Sequence, residues 1–327
     1  MTRASTKSLL FAVSCGLASG SALSVAKPAA PANTGLVRVV MTVDWEGRKL
    51  DPANIAAVHS FRQDYPALPI VQYLNAAYYF KPRTNPEAVT QAISATLLPI
   101  DQLGLHIHGW KSLFTAAGVS FRKEPNWNPG GKALTATDCA FDCGHSIPIR
   151  AYTEAELSQV IKLSVDTLSS HGFGRAQHFR TGGWMLSPEL ANALAANDFV
   201  TDSSAVPAEF LRARLSQYPL YDWAVATWRG ITPTSQPYLM QTTQGSLLEV
   251  PDNACLADYM SGKQMLAVLK ANLLEARSSG GPRTVVVGFH QETAVDWLPN
   301  IRDFLAGVES INRDEELVEF VVMPTRL

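Results

Sequence analysis

Two acids one residue apart, Asp44 and Glu46, close one apolar run of the chain, and two histidines at the same spacing, His106 and His108, close another. Residues two apart on an extended strand leave the same face, so each pair can address a single point. Two imidazoles and a carboxylate around an open position form the ligand set of a catalytic zinc-type site, whose ion activates water for hydrolysis. A histidine by itself is more often a hydrogen-bonded core side chain, and it is the second histidine and the facing acids that make this set chemical. Arg180 in AQHFRT, Asp202 in DFVTDS and His290 at the end of TVVVGFH occupy comparable places in later runs.

These groups need elements to position them. The stretch 36–47, LVRVVMTVDWEG, is apolar without alternation until its acids, the pattern of a strand buried on both faces in a parallel sheet. Further strands are predicted over 69–75, 102–108, 176–181, 198–203, 284–290 and 317–323, with candidates at 238–242 and 246–250. Asp51-Pro52 opens a helix to Gln63, Asn85-Pro86 one to Leu98, and Ser187-Pro188 one to Ala196. Thr153 and Glu156 form a capping box before Leu157, Val160, Ile161, Val165 and Leu168 at helical spacing. Pro207 to Leu215 reads as a short helix, Met265, Leu266, Leu269 and Leu273 as the inner face of another, and 295–308 as the last. Strand and helix alternate at least seven times, so the chain is expected to be α/β, and its size suits a parallel (β/α) barrel. The segment 110–150 loses periodicity and is rich in Pro, Gly, Asn and Trp, as expected of a long functional insertion. In such folds chemistry gathers at the C-terminal ends of the strands, where all these polar groups fall.

The chain has 327 residues, 46% hydrophobic and 17% charged, enough for a large core and too apolar for disorder. A net charge of -2 gives no basic surface for nucleic acid. No stretch beyond the N-terminus approaches the roughly 20 apolar residues of a spanning helix. Residues 1–26 read as a secretory signal: Arg3 and Lys7 precede an apolar run, and Ser24-Val25-Ala26 offers small residues for cleavage. Residues 27–35 form a Pro/Ala-rich leader and 36–327 a single domain. Ala12-Val13-Ser14-Cys15 resembles a bacterial lipobox, which would put a lipid anchor at Cys15. The expected location is secreted or periplasmic. Of the remaining cysteines, Cys139 and Cys143 are an easy disulfide pair that leaves Cys255 as a thiol. The other reading joins Cys139, Cys143 and His145 in a metal site.

Five segments in order, TVDWEG, GLHIHGW, FRTGGW, VTDSSAVP and VVGFHQE, resemble the motifs of the polysaccharide deacetylase (NodB-homology) superfamily, carbohydrate esterase family four. The resemblance spans about Val37 to Gln291. It implies a distorted (β/α) barrel with a divalent metal, usually Zn2+, that removes acetyl groups from N-acetylated sugars, here peptidoglycan or another N-acetylglucosamine polymer. By the same resemblance Asp44 is the catalytic base, Arg180 holds it, and His290 is the acid for the leaving amine. Glu46, His106 and His108 would be the metal ligands. The family's second aspartate is Trp45 here, so which of Asp44 and Glu46 binds the ion stays open. Its usual second histidine lies four residues after the first, where this chain has Trp110, and His108 substitutes. Asp202 or Asp222 would tune His290. Trp110, Trp127 and Trp184 are candidates for stacking on sugar rings.

Three rivals remain. Asp-Trp-Glu also ends a strand in family eighteen chitinases, but Thr42 replaces a needed aspartate, and two acids of one strand poorly straddle a glycosidic bond. An O-acetyl esterase or amidase would use the same metal centre. A non-catalytic carbohydrate-binding relative would account for Trp45 and Trp110, and would lack bindable metal.

Overall fold

A computed structural model describes residues 35–327. The signal, the leader up to residue 34 and the lipid-anchor position Cys15 lie outside the described residues. β1 (Val37–Asp44) is followed by α1 (Pro52–Asp64), β2 (Ile70–Leu74), α2 (Pro86–Ser94), β3 (Gln102–Ile107) and α3 (Lys111–Ala116). After the insertion come α4 (Glu154–Ser170), β4 (His178–Thr181), α5 (Pro188–Ala196), β5 (Thr201–Asp202), α6 (Arg212–Leu215) and α7 (Pro219–Thr227). The hairpin β6 (Tyr238–Thr242) and β7 (Gly245–Glu249) leads to α8 (Gly262–Ser279), β8 (Arg283–His290), α9 (Ala294–Asp314) and β9 (Val318–Phe320).

The sheet runs β6-β7-β5-β4-β3-β2-β1-β8, and β9 pairs with the first residues of β1 beyond the reach of β2. All pairings are parallel except β6 with β7. Beyond β7 the chain crosses to the free edge of β8: Asp252 N–H donates to Ala205 O at 2.7 Å, and Ala257 N–H to Gly288 O at 2.8 Å. Leu256 pairs in parallel with Gly288. The expected distorted (β/α) barrel of about seven parallel strands is what the chain forms, with one stretch of its wall made by this irregular crossing.

β1 shows why. Val39, Met41 and Val43 belong to the core shared with the helices, whereas Val40 packs inward with Val71, Tyr73, Val250 and Val286. Burying each such side chain contributes about 1.5–3 kcal/mol, so an alternating pattern was neither needed nor present. The inner face continues from Val40 to Thr42 and Asp44, which carries the chain's polarity to the C-terminal rim.

Helix starts follow the sequence closely. Asp51 and Ser187 cap α1 and α5, with proline in the first turn, and the Thr153–Glu156 box opens α4. α2 stops at Ser94 rather than Leu98, because Pro99 in a longer helix would clash with the carbonyl four residues back. β5 is two residues and β9 three, both shorter than expected, while α9 continues to Asp314. The region 218–252 holds α7, unannounced by periodicity since only Leu220 and Ala224 of it are buried. The insertion contributes α3 and a Cys139–Cys143 disulfide, which leaves Cys255 buried and unpaired. With both sulfurs consumed, the cysteine reading of a metal site falls.

Among the described residues no helix is long and apolar enough to cross a membrane.

Candidate functional site

The C-terminal rim of the sheet gathers what the strand ends promised. Asp44 and His290 are register partners on β1 and β8, as are His106 and Arg180 on β3 and β4, so all four face inward. Asp44, Glu46, His106, His108 and His290 line a cleft of about 550 Å³. Arg180 lies beneath its floor, fully buried.

Glu46 is the hub. Its Oε1 lies 3.2 Å from His106 Nε2, 3.1 Å from His108 Nε2 and 3.4 Å from His290 Nε2. Its Oε2 lies 2.5 Å from His145 Nε2. Burial alone would raise this carboxyl, but the surrounding imidazoles of His108, His290, His145 and His106, in their protonated forms, hold it well below the usual range. Backbone contacts aim it: Trp110 Nε1 donates to Glu46 O at 2.8 Å, and Glu46 N–H donates to Glu292 at 3.0 Å. Gly47 follows at φ 72°, where an added Cβ would meet Asn75 and Trp110 at 2.8 Å. Only glycine fits this turn.

The second nitrogen of each ring assigns its tautomer. His106 Nδ1 is 2.8 Å from Arg180 O, and His108 Nδ1 is 2.8 Å from His145 O. A carbonyl only accepts, so Nδ1 carries the proton in each neutral ring and Nε2 is bare. With both rings neutral, two lone pairs face one carboxylate oxygen, an arrangement that calls for positive charge, either a proton on each Nε2 or a cation between them. His145 differs, since the Arg48 guanidinium, which only donates, lies 3.0 Å from its Nδ1. Neutral His145 therefore carries its proton on Nε2 and donates to Glu46 Oε2. Ligand atoms of Glu46, His108 and His145 lie within 4.8 Å of one another. Burial first, then the nearby His108 charge, lower the His145 imidazole well below its ordinary value.

Asp44 belongs to a second set. Arg180 Nη1 donates to Asp44 Oδ1 at 3.1 Å and to Thr42 Oγ1 at 2.9 Å. Its remaining nitrogens donate to Ser203 O and Ser203 Oγ, with Asp252 Oδ1 3.6 Å away. Burial raises Asp252 to about 6, against the opposing charge of Arg180.

The partner of His290 is neither acid that the sequence offered. Asp202 pairs in register with Phe179, so it lies on the opposite face of the sheet from Arg180 and contacts Ser204 instead. Asp222 is exposed in the first turn of α7. Asp258, from the crossing segment beside β8, sits 3.1 Å from His290 Nδ1 and is itself held by Thr293 Oγ1 at 2.6 Å. Burial would lower the His290 imidazole, yet Asp258 and Glu46 raise it to about 10.

Of the three tryptophans, Trp127 and Trp184 line the cleft, whereas Trp110 packs under Lys81 Nζ at 3.0 Å and serves Glu46. Trp45 is fully buried and donates to Gln72 Oε1 at 3.0 Å, so its replacement of an acid is accommodated by the fold rather than by the site. Sequence reasoning offered His145 only beside Cys139 and Cys143 and missed Asp258, because both sit in irregular segments that only tertiary contacts bring to the rim.

No protein-family model matches the chain, and no curated protein matches it in sequence. Solved structures are similar to it in outline. One assigned as a polysaccharide deacetylase from Mycobacterium smegmatis is 13% identical, with 89% of this chain and 95% of that one covered at a TM-score of 0.48. A family 4 carbohydrate esterase from Streptomyces lividans, in complex with acetate, is 11% identical over 88% and 94%, at 0.42. Puue allantoinase is 10% identical over 89% of each chain, at 0.49.

Proposed function

We propose that the protein is a metal-dependent hydrolase that removes acetyl groups from the sugars of a polysaccharide. The observation that carries this reading is the pair of Nε2 atoms, on His106 and His108, converging on Glu46 Oε1 at 3.2 and 3.1 Å. Those three residues would hold a divalent ion, with Zn2+ the natural fit to two imidazoles and a carboxylate. His145 braces the other oxygen of Glu46. An ion there supplies Lewis acidity that polarises an acyl carbonyl and makes water acidic.

The remaining steps belong to the chain. Asp44 is held at Oδ1 by Arg180, and its place in the cleft wall suits a base that receives the proton of attacking water. On this reading Glu46 serves the ion and Asp44 the proton. His290, oriented through Nδ1 by Asp258, presents Nε2 to the cleft and gives a proton to the leaving amine or alkoxide. Trp127 and Trp184 offer apolar surface to sugar rings.

Peptidoglycan or another N-acetylglucosamine polymer is the substrate class we favour, acting with an N-terminal signal that takes the protein to a secreted or periplasmic location. A disulfide at Cys139–Cys143 is compatible with that compartment. The test is acetate release from peptidoglycan, chitooligomers and acetylxylan, with chelator and metal added back. Release that stops with chelator, returns with Zn2+ and is absent in His106→Ala supports the reading. Release that survives both treatments removes it, and release from acetylxylan alone makes the enzyme an O-acetyl esterase.

A further inference from the structure

The inserted loop does more than deliver His145. The disulfide between Cys139 and Cys143 closes a small ring that contains Asp142. Asp142 Oδ1 accepts from Ser112 N–H at 3.0 Å, while Oδ2 accepts from Ser112 Oγ and from Lys81 Nζ, each at 2.8 Å. Cys143 O accepts from Lys111 N–H at 2.8 Å, so the ring is pinned to the start of α3. Gly144 follows at φ 101°, and a Cβ there would lie 2.1 Å from Gly109 O, just past His108. The next residue is His145. Its carbonyl orients His108, its Nε2 meets Glu46, and its ring stacks on that of His108 at 4.0 Å between centroids.

We propose that the Cys139–Cys143 ring is a clamp on the metal-binding cluster: closed, it fixes His145 and through it both His108 and Glu46; opened by a dithiol, it lets that grip loosen. The inference rests on the metal-centre reading above. Cys139, Cys143 and Asp142 are positioning residues here, touching no ligand-facing atom of the cluster themselves. The barrel does not depend on the ring, which lies in the insertion between α3 and α4 and joins no strand. It is also open to a partner: Phe141, inside the ring, is 78% exposed and Cys139 is only partly buried. Opening needs a dithiol reductant. One of its thiolates attacks a sulfur of the disulfide, and its second thiolate resolves the mixed disulfide. Two protons and two electrons pass to Cys139 and Cys143, and the reductant leaves oxidised.

The experiment measures the Co2+ dissociation constant and the visible spectrum of the Co2+ complex for wild type, for Cys139→Ser/Cys143→Ser and for Asp142→Ala. Circular dichroism and melting of the metal-free proteins are followed in parallel. Groups that hold metal ligands in place in this way are worth about 10–100-fold in metal affinity. The double variant should bind Co2+ weaker by that factor, with an altered spectrum and an unchanged far-ultraviolet dichroism. Asp142→Ala should follow in the same direction, and it decides the matter if the double variant fails to fold. Wild-type affinity and spectrum in a folded variant overturn the clamp. If wild type itself binds no divalent ion, the metal-centre reading fails and the clamp falls with it, an outcome distinguishable from intact binding that ignores the ring.

Discussion

Replacing Arg180 by methionine tests how the site is built. The guanidinium is fully buried, 3.1 Å from Asp44 Oδ1 and 3.6 Å from Asp252 Oδ1. At an effective dielectric near 20, attraction at 3.1 Å is about 5 kcal/mol, and desolvation offsets much of it in the intact protein. Methionine keeps the bulk and removes the charge, leaving two buried carboxylates without their cation. Breaking a buried pair in this way costs about 3–5 kcal/mol. The sign of the pH dependence follows from Asp252, which burial already holds up at about 6 while Arg180 opposes it. Without Arg180 its folded-state value rises further. A carboxyl raised on folding favours the folded state when protonated, and that advantage is lost as pH climbs from its unfolded value through its folded one. Denaturant unfolding at pH 5 and pH 8 should therefore show a deficit of about 3–5 kcal/mol at pH 8 and a clearly smaller one at pH 5. A deficit below about 1 kcal/mol at pH 8, or one that grows on acidification, would refute the idea that Arg180 neutralises both acids.

Two further outcomes are expected. His178 is buried, accepts or donates a 2.6 Å hydrogen bond with Thr201 Oγ1, and is lowered by burial from 6.5 to about 4. Its folded value is depressed, so it stays neutral while the unfolded chain takes up a proton. Up to about 3 kcal/mol of stability, full above pH 6.5, is then lost between pH 6.5 and 4. His178→Gln should flatten that part of the stability profile, and an unchanged acid slope would show that the proton uptake lies elsewhere. Asp258→Asn should leave the fold intact and lower kcat far more than it raises KM, within the roughly 100- to 10,000-fold attributed to positioned proton transfer. A variant with wild-type kcat would free His290 of the role given to it.

Much of this architecture was legible in residue order, for reasons that differ by element. The run 36–44 is apolar on both faces because a barrel strand is covered on both sides, and the polar groups cluster after it because the rim is where cover ends. The caps at Asp51, Thr153 and Ser187 are local chemistry and were readable as such. His106 and His108 were readable because a strand turns a spacing of two into a shared face. His145 was readable only as a partner of the cysteines, since nothing periodic surrounds it and it follows a disulfide ring and a glycine turn. Asp258 was hidden for a related reason: it reaches His290 from a segment that hydrogen-bonds along β8 without being a regular strand. Asp202 looked right in sequence and faces the wrong side, because the strand end was judged without its register.

The account depends on one cation held by Glu46, His106 and His108. The direct measurement is metal stoichiometry and affinity, by titrating the metal-free protein with Zn2+ under chelator competition, for wild type and Glu46→Gln. One tightly held ion per wild-type chain, lost or weakened by orders of magnitude in Glu46→Gln, is the predicted result. A wild-type chain that holds no divalent ion, or a Glu46→Gln variant that holds it equally well, would contradict the account.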